Sequence, residues 1–227
     1  MATLGDENDP TAEGSEMGVL SATEPQAQPA SPAEPGEPAL NRTWPLPPPE
    51  GFTADDLDRI PDLPPHTELI DGSLVFVSPQ ALFHMLVIDL LRFQLPQQAP
   101  ESMRVRREMS VVLGPRQRPE PDIMVVDAAA EDGVDLKSYA AEHVILAVEV
   151  VSPDSQERDR ERKPQLYAKA GIRHFWRIEN DDHRPVVYVY ELDPATGAYV
   201  ATGIHRDHLK LSVPFDIDID LGDIKRM

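Results

Sequence analysis

Two acids stand where apolar strands should carry none. Glu149 interrupts the run Val144-Ile145-Leu146-Ala147-Val148-Glu149-Val150-Val151, and Asp122 stands at the start of "PDIMVV". Runs this short and this rich in β-branched residues read as central strands buried on both faces. An ionised carboxylate in such a place needs a cation, a metal or a proton, because desolvating it alone is costly. The polar segment 127–142 joins the two runs, so they can be neighbouring strands, only ~4.8 Å apart. Like charges that close repel unless a cation sits between them, and hard oxygen donors suit Mg²⁺ or Mn²⁺. Glu68, embedded in "ELI", is a third acid able to complete such a metal site.

Further on, "SPDSQERDRERKPQLYAKAGI" sets Asp159, Lys163 and Tyr167 at spacings of four, one face of a helix. A lysine aimed from a helix at a carboxylate pair could orient an attacking water or stabilise charge developing on phosphate. That is chemistry suited to phosphodiester hydrolysis. Plainer readings stand beside it. A strand acid can be an ion-pair partner, Asp159 with Lys163 an ordinary helix pair worth ~0.3 kcal/mol, and Tyr167 a core aromatic. His84 is a supporting candidate behind the acids, or a satisfied histidine of an apolar helix.

The elements that must position these residues are legible around them. Thr53 caps a short helix that stops before Pro61, and "TELIDGSLVFV" reads as two strands about an Asp-Gly turn. Residues 79–95 form a buried helix. "MRVRREMSVVLG", "PEPDIMVVD" and the Glu149 run are strands. A helix over 155–170 follows, closed by Gly171, and then strands "HFWRIE", "PVVYVYEL" and "AYVATG". The order predicts a mixed α/β domain: one central mixed sheet flanked by helices, with added β-hairpins.

Composition assigns residues 1–50 to a disordered tail and 51–227 to the folded domain. The tail holds ten of the 24 prolines and nine acids against one arginine. The domain retains 31 acids against 20 bases, which excludes a polyanion binder working through an overall positive field. A local basic groove stays open: Arg104, Arg106 and Arg107 on one strand, Arg116 and Arg118 in the next turn, and Arg158, Arg160, Arg162 and Arg173 around the second helix. A solvated, charge-mixed surface accounts for them equally well. The absence of cysteine excludes disulfides and thiolate metal sites. With neither a secretory signal nor an apolar run of ~20 residues, a soluble cytoplasmic protein without membrane contact is expected.

Taken in order, "ELIDG", "SP", a histidine, "PEPDIMVV", "AVEVVSPDS", "DRERK" and "YAKAGI" followed by "HFW" resemble the Uma-type "putative restriction endonuclease" family, bacterial proteins of the PD-(D/E)xK nuclease superfamily. The resemblance runs from Phe52 to the C-terminus. It implies a restriction-endonuclease-like core and a Mg²⁺-dependent endonuclease (Mn²⁺ serving as well) acting on DNA, with a homodimer to cut two strands. It matches Asp122 to the acid of the PD element, Glu149 to that of (D/E)xK and Glu68 to the acid of "ELIDG". Val151 holds the position where the superfamily carries its lysine, and Lys163 matches a lysine that the family places on the following helix. Pro164 follows it, so the helix must either begin there or kink. Two other readings remain at this point: a non-catalytic nuclease-fold module binding nucleic acid or a protein partner, and a phosphodiesterase acting on RNA or a nucleotide.

Overall fold

The computed structural model describes residues 45–131 and 133–227; the segment expected to be disordered lies, up to residue 44, outside the described residues. A hairpin of β1 (Glu68–Ile70) and β2 (Ser73–Val75) precedes helix α1 (Leu82–Gln98). Strands β3 (Met103–Arg107), β4 (Ser110–Val112), β5 (Ile123–Asp127), β6 (Ser138–Ala140) and β7 (Val144–Val150) lead to helix α2 (Lys163–Lys169). Then come β8 (His174–Asp181), β9 (Arg184–Asp193), β10 (Ala198–His205), β11 (His208–Leu211) and β12 (Ile217–Asp220). Six strands make one sheet in the order β10-β9-β8-β7-β5-β3. Only β7 and β8 run parallel within it; a parallel pair needs a crossover, and α2 lies in that connection.

Alternation along the central strands sorts their side chains to two faces. Leu146, Val148 and Val150 join Ile123 and Val125 in a core with Val87, Leu91 and Leu95 of α1. Ala147 joins Met124 and Val126 in a second core with Tyr167 of α2. Each buried Val or Leu contributes roughly 1.5–3 kcal/mol, so two such layers can offset the cost of a buried charged cluster. Glu149, alternating with Val148 and Val150, belongs to the α2 face. The hairpin turn uses Asp71 and Gly72 in left-handed conformations, φ 54° and 80°, the two-residue geometry that matches strand twist. Gly72 also admits Arg116, whose Nε lies 2.6 Å from where a Cβ would stand. No described helix is long and apolar enough to cross a membrane.

Two elements differ from expectation. "MRVRREMSVVLG" is split at Glu108, whose φ of 50° breaks the strand; β3 stays in the main sheet and β4 leaves it to pair in parallel with β6. The helix expected over 155–170 forms over 156–169, but it contains a π-helical turn, Arg158–Arg162, that runs into α2. Pro164 is the cause. Its ring lacks an N–H and clashes with the carbonyl four residues back, so the turn widens and Lys163 N–H donates to Arg158 O, five residues back. Pro164 then occupies the first turn of α2, where no N–H is needed.

Candidate active site

Strand register brings the acids together. Ile123 of β5 faces Val148 of β7, so one step further Asp122 stands opposite Glu149, and the Val150 N–H donates to Asp122 Oδ2 at 2.6 Å. Glu68 arrives from β1, its Oε1 accepting the Glu120 N–H at 2.8 Å. From α2, Lys163 Nζ lies 2.9 Å from Glu68 Oε1, 2.9 Å from Glu149 Oε2 and 3.4 Å from Asp159 Oδ1. One turn later the Tyr167 hydroxyl donates to Glu149 Oε1 at 2.5 Å. Ser155 Oγ donates to the other oxygen of Asp159. Glu68, Glu149, Asp159 and Lys163 are each at most 5 % exposed.

Three buried carboxylates around one ammonium cannot all be charged without cost. Burial pushes Glu149 well above the usual carboxylate range, and the acids nearby add to that against the pull of Lys163. Burial raises Asp159 as well. It also opposes the charge of Lys163, but the carboxylates of Glu149, Glu68 and Asp159 outweigh it and hold the ammonium above the usual lysine range. Burial and the charge of Glu149 keep Tyr167 a phenol. The site therefore holds Lys163 charged and leaves Glu149 ready to share a proton or a further cation.

The acids and Lys163 line a pocket of about 640 Å³ whose wall carries seven carboxyl side chains but only two permanent cations, Lys163 and Arg158. Among the described residues no group of three or more His, Asp or Glu side chains is placed so that it could hold a metal ion. The donor set nevertheless fits a hard divalent cation: it is all oxygen, it is in charge deficit, and Glu149 spends two of a carboxylate's roughly four lone-pair directions on Lys163 and Tyr167. His84, buried on α1, puts Nε2 3.0 Å from Asp122 Oδ1 and so braces the acid; its Nδ1 has no hydrogen-bond partner.

Most of the arginines read as a groove are engaged with other groups of the chain. Arg118 is buried, donating to Asp58 at 2.7 Å and to Ala54 O. Arg106 pairs with Glu131 at 2.6 Å, Arg160 with Glu179 at 2.5 Å, and Arg107 with Glu108 at 3.4 Å. Arg162 pairs with Asp71. Arg116 donates to Asp71 O, and Arg104 to the carbonyls of Glu101 and Met103. Arg173 lines a separate pocket of about 310 Å³. Of these nine, Arg158 lines the acidic pocket.

Sequence reasoning missed a pair on its wall. His66 Nδ1 lies 2.5 Å from Glu120 Oε1. Glu120 had a signal, since it stands two residues before Asp122 and alternate residues of extended chain share a side; His66 had none. The bond to Glu120 raises the His66 pKa, and burial raises that of Glu120, so the pair keeps a shared proton to higher pH. With the folded value raised, the stabilisation is full below the ordinary histidine value of 6.5 and is lost as pH rises through the raised one. Melting temperature followed from about pH 5 to pH 9 should fall more for the parent than for Glu120→Gln, which removes the raised acid and with it the rise of the His66 value; parallel curves would show that the pair is not linked to folding.

A family model described as "putative restriction endonuclease", Uma2, matches residues 54–221. The chain belongs to this family. The match contains every carboxylate and cation of the pocket, and it bears out the resemblance carried by the motifs. Among solved structures, a crystal structure described as a putative nuclease belonging to DUF820, from Anabaena variabilis, is similar at TM-score 0.56 and 18 % identity, over 76 % of this chain and 97 % of that one. At that identity the likeness speaks for the fold, and the mixed α/β architecture is as expected. Comparison with curated proteins gives no match. In this Uma2 chain Val151 stands two residues after the strand acid, and the ammonium that reaches Glu149 comes from Lys163 of α2.

Proposed function

We propose that this Uma2 protein is a divalent-cation-dependent endonuclease that hydrolyses phosphodiester bonds in DNA. One observation carries the reading: Glu68, Asp122 and Glu149, from three separate segments, converge with Lys163 on one pocket in negative charge excess. Asp122 and Glu149 would hold Mg²⁺ or Mn²⁺, with Glu68 assisting. When bound, the cation would supply Lewis acidity and a more acidic water. Lys163, shared among three carboxylates, would act through its positive charge, stabilising charge building on the phosphoryl oxygens. Tyr167 fixes Glu149 and His84 fixes Asp122, so neither acid needs to reorganise during reaction. A homodimer would bring one such site to each strand.

The test pairs calorimetric titration of Mg²⁺ and Mn²⁺ with cleavage of supercoiled plasmid, for the parent and Asp122→Ala. The parent should bind metal and nick DNA, EDTA should stop cleavage, and the variant should lose both. Undiminished cleavage by Asp122→Ala would refute the site assignment. Products from RNA or nucleotides alone would move the substrate class, and a parent that neither binds metal nor cleaves any of these would be the non-catalytic module.

A further inference from the structure

Building on that reading, we propose that Arg158 is the residue that grips a phosphate of the substrate in this pocket. A phosphodiester entering it meets seven carboxyl groups, so an unengaged cation is required to draw it in. Lys163 is not unengaged; its ammonium serves Glu68, Glu149 and Asp159. Arg158 is the other permanent cation on the wall. Among the described residues its guanidinium makes no hydrogen bond or ion pair, and its Nε is buried without a partner. A guanidinium has five donors in a planar fork that matches two phosphate oxygens at once. Leaving a buried donor such as this Nε unsatisfied is costly, and the rest of the partly exposed fork can reach an entering ligand, which makes an anionic oxygen ligand the natural complement.

Arg158 differs in this from the arginines near it in sequence. Arg160 and Arg162 are spent on Glu179 and Asp71. The π turn separates them. It begins at Arg158, whose carbonyl takes the Lys163 N–H across five residues, and single π turns of this kind are frequent at functional sites. Pro164 thus has a role beyond being tolerated, since it imposes the wide turn that carries Arg158 on the wall while Asp159 and Lys163 remain paired at 3.4 Å.

The test is fluorescence anisotropy of a labelled DNA duplex with Ca²⁺ in place of Mg²⁺, repeated across salt concentrations, for the parent, Arg158→Ala, Arg158→Lys and Arg160→Ala. Arg158→Ala should weaken binding about tenfold and flatten the slope of log affinity against log salt by about 0.9, one phosphate contact. Arg158→Lys should keep the slope and lose part of the affinity, because lysine is a point charge without the fork; this variant decides the matter if the alanine protein does not fold. Arg160→Ala should keep the parental slope. Parental affinity and slope in Arg158→Ala, or parental affinity in Arg158→Lys, overturn the proposal. If the parent cleaves DNA yet Arg158→Ala binds unchanged, Arg158 falls and the nuclease reading stands. If the parent binds without cleaving and Arg158→Ala loses the contact, the reverse holds. A parent that neither binds nor cleaves refutes both.

Discussion

Replacing Lys163 with methionine should cost the fold about 3–5 kcal/mol, the usual loss when one partner of a buried ion pair is removed. Methionine keeps the unbranched stem and nearly the volume, so the deficit measures charge rather than shape. The expected size follows from an asymmetry: one ammonium serves three buried carboxylates, and without it all three are stranded. Urea denaturation should show the midpoint falling at unchanged slope. The pH dependence has a definite sign. Lys163 titrates above the usual lysine value of 10.5 when folded, so its contribution is present throughout the neutral range and is lost only as pH rises past the raised value. Glu149 is also raised when folded; protonating it favours the fold below its ordinary 4.5, and this support fades as pH rises. Without Lys163 nothing opposes that rise, so the variant should lose stability between about pH 5 and pH 8 more steeply than the parent. Equal stability of the two proteins at about pH 8 would mean that Lys163 does not neutralise the acids.

How much of this site could be seen beforehand depended on how far apart its partners lie in the chain. Asp122 and Glu149 were legible because a β-branched run defines a strand by itself, and an acid inside it stands out. Asp159, Lys163 and Tyr167 were legible by spacing, although the backbone that delivers them contains a π turn that only Pro164 announces. The pairing of the arginines was not legible. Arg118 and Asp58 are 60 residues apart, Arg106 and Glu131 25, and His66 and Glu120 54, and nothing local marks such partners. The departure of β4 from the sheet was hidden too, since it turns on a left-handed glutamate, Glu108, where glycine or asparagine would have been the ordinary sign. The hairpin of β11 and β12 is a different case. The segment that leads into and forms its second strand alternates buried Phe215, Ile217 and Ile219 with exposed Asp216, Asp218 and Asp220, a period-two pattern as clear as any that marked the central sheet.

The same asymmetry that makes Lys163 indispensable makes the charge of Glu149 dispensable to the fold, and Glu149→Gln should separate activity from stability. Glutamine keeps the shape, still offers an acceptor to Lys163, and its amide can donate to the oxygen of Tyr167. Lys163 retains Glu68 and Asp159, so no buried charge is stranded, and removing a carboxylate whose burial raises its pKa removes part of the desolvation cost. Stability should therefore stay within about 1 kcal/mol of the parent. Cleavage should not survive. A neutral amide is a poor ligand for a hard divalent ion, and a cation worth several kcal/mol of transition-state stabilisation corresponds to a loss on the order of a thousandfold in rate. Single-turnover cleavage rates and urea midpoints on one preparation test both halves, and thermal melts with and without Mg²⁺ add a third reading. The parent should gain melting temperature with Mg²⁺ by mass action and the variant should not. Parental cleavage by Glu149→Gln would make this acid a partner for Lys163 and nothing more. Lost cleavage with an intact fold and no response to Mg²⁺ is what a strand-borne metal ligand produces.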